Sequence, residues 1–167
     1  MPNNQGATNW YPPSYSPETG LFYLPAWLDT FSVYTKRPVQ YTPGQQYVGA
    51  FPTMAMPALG VNPVNQRLPE EGLGAIQAID PTTGEIVWRH MMTNVTDSGV
   101  LSTASNLVFA GGREGHFYGL DAETGEVLWR QMLGGQIAAG PMSYAIDGKQ
   151  YISIAAGAGV FVFGLPD

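Results

Sequence analysis

The chain has 167 residues, a net charge of −6 and 12% charged residues, a balance that speaks against a basic nucleic-acid face. It has no cysteine, which excludes disulfide scaffolds, thiolate zinc sites, c-type haem attachment and cysteine nucleophiles; no apolar run reaches the ~18 residues of a membrane span. Glycine (21) and proline (14) are abundant, yet 12% aromatic and 44% apolar residues mark a globular chain of short strands and tight turns rather than long helices. Met1–Gln5 has neither a charged n-region nor an apolar h-region, so no signal peptide is expected in this chain.

In chain order, the pattern predicts strands at Asn9–Tyr15 and Leu21–Leu24, joined by the turn Ser16-Pro17-Glu18-Thr19-Gly20. Pro25 to Leu73 is rich in Pro, Gly, Gln and aromatics and lacks sustained periodicity, so 25–73 is expected to be one long structureless excursion. Strands follow at Gly74–Asp80 and Glu85–Arg89, then at Val100–Thr103, Leu107–Ala110, His116–Asp121 and Glu126–Arg130. The last group is Gln136–Tyr144, Gln150–Ala155 and Val160–Leu165, with Asp147-Gly148 as a hairpin signal.

Ala78-Ile79-Asp80-Pro81-Thr82-Thr83-Gly84-Glu85-Ile86-Val87-Trp88 returns as Gly119-Leu120-Asp121-Ala122-Glu123-Thr124-Gly125-Glu126-Val127-Leu128-Trp129, with Asp, Gly and Trp all offset by 41 residues. Each copy reads strand, turn, strand, and a period of ~40–45 residues with four strands is that of a β-propeller blade. The organisation expected is therefore all-β. Residues 9–90 form a blade interrupted by the loop 25–73, 98–131 a complete blade, and 136–165 a last blade lacking its outer strand. Two or three blades cannot close a ring, so the chain is expected to be the C-terminal portion of one larger propeller domain.

The repeated Asp-x-x-Thr-Gly-x-x-x-Trp resembles the tryptophan-docking motif of the quinoprotein alcohol dehydrogenases, eight-bladed propellers that bind pyrroloquinoline quinone (PQQ). Asn9-Trp10-Tyr11-Pro12-Pro13-Ser14-Tyr15-Ser16-Pro17-Glu18-Thr19-Gly20-Leu21-Phe22-Tyr23 and Tyr41-Thr42-Pro43-Gly44-Gln45-Gln46-Tyr47-Val48-Gly49-Ala50 resemble two further segments of methanol- and ethanol-oxidising members. Gly99–Ala104 and Leu107–Gly111 resemble their next-to-last blade.

The resemblance implies a periplasmic dehydrogenase that oxidises a primary alcohol or aldehyde. PQQ would sit beside Ca²⁺ or a lanthanide acting as a Lewis acid, a carboxylate would take the hydroxyl proton, and electrons would pass to a cytochrome c. The metal ligands and the proton-abstracting carboxylate are expected outside this chain, which would supply scaffold and part of the cofactor-site wall. Asn9 matches an asparagine that hydrogen-bonds the quinone, and strand-entry turn bonding is its alternative. Trp10 lines the substrate cavity or is a core indole between blades. Asp97 stands where many members carry a tryptophan that packs by the quinone, and Phe161 stands near a second such position; both mark a more polar or smaller cavity or a cofactor-free propeller. Trp88 and Trp129 are read as structural, each stacking on a glycine peptide of a neighbouring blade, with Trp88 reaching toward Gly125. Asp80 and Asp121 read as turn residues, and His90 and His116 show no paired metal-ligand spacing.

A second reading is a non-enzymatic propeller with the same repeats, serving as a protein-binding scaffold like those of outer-membrane protein assembly. Such propellers share the docking motif but do not need Asn9-Trp10 or Tyr41–Ala50.

Overall fold

The computed structural model describes residues 6–28, 34–36, 38–45, 47, 50–52 and 74–165. Thirteen strands and no helix occur among them. The first sheet has the order β1-β2-β5-β6, from β1 (Ser14–Ser16), β2 (Leu21–Trp27), β5 (Gly74–Ile79) and β6 (Ile86–Met91). The second runs β10-β9-β8-β7, from β7 (Val100–Ser102), β8 (Leu107–Gly111), β9 (His116–Asp121) and β10 (Val127–Met132). The third has three strands, β11 (Met142–Ile146), β12 (Lys149–Ala156) and β13 (Gly159–Gly164), in sequence order. All pairings are antiparallel.

The repeated turns are built alike. In one, Asp80 N–H donates to Glu85 O and Gly84 N–H to Asp80 O, at 2.9 and 2.8 Å. In the other, Asp121 N–H donates to Glu126 O and Gly125 N–H to Asp121 O, both at 2.9 Å. The Asp carboxylates accept from Thr82 and Thr124, which holds both below the usual carboxylate range. Gly84 and Gly125 sit at φ 77° and 74°, where a Cβ is strained.

Three strand boundaries differ from the sequence expectation by more than two residues. Asn9–Pro13 is not part of a strand: Pro12 and Pro13 carry no N–H, so pairing starts at Ser14. Gln136–Pro141 is likewise not a strand. Ile137 N–H donates to Gly112 O and Gln136 O accepts from Gly157 N–H, which ties this stretch to neighbouring turns, and β11 starts only after Pro141. The excursion 25–73 is not wholly structureless. β2 continues through Pro25 to Trp27, past the last β1 pair at Tyr23, where one flank has no ladder to donate to. A two-stranded ribbon, β3 (Tyr34–Lys36) with β4 (Ala50–Pro52), lies further along. Of the Tyr41–Ala50 segment, residues 46, 48 and 49 lie outside the described residues.

Strand β9 of the second sheet is covered on both faces, which is why it is buried almost throughout rather than at alternate positions. Its Tyr118 and Leu120 face the first sheet, in a core with Tyr23, Ile76, Ala78, Trp88, Val108 and Ala110. Phe117 faces the third sheet, in a core with Ile137, Ile152, Ile154 and the half-buried Phe109, Phe161 and Phe163. Each such apolar side chain contributes roughly 1.5–3 kcal/mol on full burial. The first strands of the first two sheets also meet: Ser102 N–H donates to Ser14 Oγ at 3.0 Å, and Val100 N–H to Pro12 O at 2.8 Å.

Candidate functional site

Three segments converge where β1, β2 and β7 begin or end. They are the loop Asn9–Pro13 before β1, Trp27 at the end of β2, and the loop Val95–Gly99 before β7. The loop before β7 is fixed by its own small polar side chains. Thr96 Oγ1 donates to Gly111 O at 2.7 Å and accepts from Ser98 N–H at 3.1 Å. Ser98 Oγ accepts from Gly111 N–H at 3.0 Å and lies 2.9 Å from the carbonyl oxygens of Gly99 and Ala139. A Cβ on Gly99 would lie 2.5 Å from Pro12 Cγ and 2.9 Å from Gly140 Cα, so only glycine lets the loops approach this closely.

Trp27 is buried and its indole N–H donates to Thr96 O at 2.8 Å. It joins Tyr11 and Val95 in a small core, with the Tyr11 and Trp27 ring centroids 6.1 Å apart. Trp10 continues the row, 4.7 Å from Tyr11, and is 71% exposed. It is therefore not a core indole within this chain but the solvent end of an aromatic series. Asn9 is exposed, and its Oδ1 accepts from Trp10 N–H at 2.8 Å, which orders the loop entry.

Asp97 is buried and paired with Arg113, from the turn between β8 and β9. Arg113 sends both Nε and Nη2 to Asp97 Oδ2. The guanidinium carbon lies 5.9 Å from the centre of the Trp27 ring, within cation–π range. Asp97 Oδ1 has no hydrogen-bond partner. The structure thus brings Asn9, Trp10 and Asp97 into one neighbourhood. Phe161 stands elsewhere: it lies opposite Ile154 on β13 and packs on the core between the second and third sheets. The residues the sequence reading missed are Tyr11, Trp27 and Arg113. Arg113 carried one signal, a charge in a Gly-flanked turn of a chain with few charges.

His90 and His116 flank Tyr118, with ring centroids at 5.0 and 5.8 Å, and burial pushes the His90 imidazole below its ordinary value. Among the described residues no group of three or more His, Asp or Glu side chains is placed to hold a metal ion. No helix among them is long and apolar enough to cross a membrane.

Residues 1–152 match the family model described as PQQ: Glucose/ethanol/alcohol dehydrogenase, beta-propeller domain. The chain belongs to this family. It is 38% identical over 156 residues to a quinoprotein ethanol dehydrogenase of Pseudomonas putida, covering 92% of this chain and 23% of that protein. It superposes on a quinohemoprotein alcohol dehydrogenase, ADHIIG of Pseudomonas putida HK5, with a TM-score of 0.76 and 29% identity over 96% of this chain and 23% of the other. A europium-containing methanol dehydrogenase gives 0.73 and 31%, over 96% and 26%. The chain therefore spans about a quarter of the length of the relatives it matches. The three sheets are consecutive parts of a family β-propeller, with Trp88 docked on the second sheet as the repeat foretold.

Proposed function

We propose that this chain is the C-terminal part of an eight-bladed, periplasmic quinoprotein dehydrogenase that oxidises primary alcohols or aldehydes. The observation that carries this reading is the convergence of Asn9, the Trp10–Tyr11–Trp27 series and the Asp97–Arg113 pair in a chain of the PQQ dehydrogenase family. PQQ is a flat, polyanionic heteroaromatic. Aromatic faces suit its rings and an amide donor suits a quinone oxygen, so the residues present fit the group. When bound, PQQ would supply the acceptor for the hydride that leaves the alcohol carbon. The share of this chain is to wall the site, orient its ligands and exclude water. Ca²⁺ or a lanthanide would be held by carboxylates elsewhere in the propeller; the europium-containing neighbour supports a trivalent ion as one of the two. A 1-butanol dehydrogenase (cytochrome c) of Thauera butanivorans, 36% identical over 163 residues, supports a cytochrome c as electron acceptor. The remaining blades would also cover an apolar groove of about 850 Å³ beside β13, lined by Phe109, Phe117, Trp129, Ile152, Phe163 and Leu165.

The test is PQQ-dependent dye reduction by the full-length protein loaded with PQQ and either Ca²⁺ or La³⁺, offered primary alcohols. Alcohol-dependent turnover is the expected result. Absence of PQQ binding with both metals overturns the reading and favours the scaffold alternative. The 167-residue chain alone is expected to be inactive.

A further inference from the structure

We infer that Asp97 is a ligand-contact residue whose Oδ1 accepts a hydrogen bond from a neutral N–H or O–H donor of the molecule filling this site, while Arg113 holds Oδ2. The inference deepens the proposed function and rests on it. The Asp97 and Arg113 side chains are 10% and 7% exposed. Both guanidinium contacts fall on one carboxylate oxygen, and the other has no partner. Buried carboxylate oxygens are ordinarily satisfied, so an orphan beside an aromatic cluster points to a donor that comes with a ligand. Among the described residues, three nearby donors are committed elsewhere. The Trp27 indole N–H is committed to Thr96 O, the Thr96 hydroxyl to Gly111 O, and the Ser98 hydroxyl to backbone carbonyls. Arg113 already balances the carboxylate charge, which favours a neutral donor over a second cation. Two sources share that chemistry: the pyrrole N–H of PQQ, and a second hydroxyl on an alcohol whose first hydroxyl reacts.

The experiment uses the full-length protein with Asp97→Ala, Asp97→Asn and the double variant Asp97→Leu/Arg113→Met, which removes the pair without leaving a lone buried charge. One arm titrates PQQ into metal-loaded apoprotein and follows tryptophan fluorescence. The other compares kcat/KM for 1,2-propanediol with that for 1-propanol. The Ala and double variants are expected to lose about tenfold in one arm, with Asn, which keeps an acceptor oxygen, losing less. Loss of PQQ affinity assigns the donor to the cofactor. A collapse of the diol preference assigns it to the substrate. Unchanged values in both arms, within twofold, overturn the inference, and if Ala does not fold the double variant decides. Failure of the wild-type protein to bind PQQ is a separate result and overturns the functional reading together with the inference.

Discussion

A methyl group on Gly125 would lie 2.6 Å from Cε3 of Trp88, so the two residues meet across the seam between the first two sheets with no room to spare. The Trp88 indole N–H also donates to Ala122 O at 2.9 Å, a carbonyl that takes a second bond, at 3.0 Å, from the Tyr23 hydroxyl. Gly125→Ala is expected to destabilise by about 1–3 kcal/mol, from overpacking plus the positive φ. Trp88→Ala should cost about 3–5 kcal/mol, and Trp88→Phe about 1 kcal/mol for the lost hydrogen bond beyond its packing change. Urea unfolding of the full-length variants measures all three. A neutral Gly125→Ala would contradict the seam geometry.

The buried ion pair predicts a strongly non-additive cycle. Asp97→Ala alone should destabilise by about 3–5 kcal/mol because it removes the carboxylate paired with a buried guanidinium, whereas Asp97→Leu/Arg113→Met should fall well short of the sum of the single variants. Equilibrium unfolding of the four proteins in the cycle gives the coupling.

Tyr118 should ionise late. Burial first, and the Glu114 carboxylate beside its hydroxyl second, push its pKa up to about 12. The folded chain keeps this proton above the value of ~10 at which the unfolded chain loses it, so stability falls as pH rises from 10 toward 12. Absorbance titration at 295 nm should show a late component that disappears in Tyr118→Phe and moves down in Glu114→Gln.

Acidification should weaken the fold through His90. Burial holds its pKa below the ordinary 6.5, so below that pH the unfolded state binds a proton that the folded state does not. Stability is therefore lost as pH falls from about 7 toward the folded value. His90→Gln should flatten the thermal-stability profile in this window. A second loss at lower pH, from Asp80 and Asp121, should persist in that variant, because their lowered values add stability only while they are ionised.

The repeat made the second sheet legible almost to the residue, since His116–Asp121 is a strand in both sequence pattern and structure. Turn chemistry was equally readable at Asp80–Glu85 and Asp121–Glu126, because the Asp and Thr side chains and the positive φ of the glycine determine those bonds locally. The boundaries that failed lie beside prolines: Pro12-Pro13 withholds pairing from Asn9–Tyr15, and Pro141 marks where β11 can start. Pro25 was tolerated because β1 pairing ends at Tyr23, before Pro25. The site was half legible. Asn9, Trp10 and Asp97 were marked by family resemblance, but Arg113 meets Asp97 only after the β7–β8 hairpin brings together positions 16 apart. Trp27 meets Thr96 across 69 positions, and no local pattern encodes that contact. Phe161, marked by the same resemblance, packs on the core of Phe117, Ile137 and Ile154.

The Trp88–Gly125 seam has a direction: one sheet offers the ring and the next offers the glycine turn. Head-to-tail contacts of this kind either close on themselves or continue as an open spiral, depending on the rotation that each one imposes. No residue counts the sheets. Their number follows from the wedge angle at each seam, so a substitution that widens one seam by a few degrees must be absorbed by all the others or leave the ring sprung.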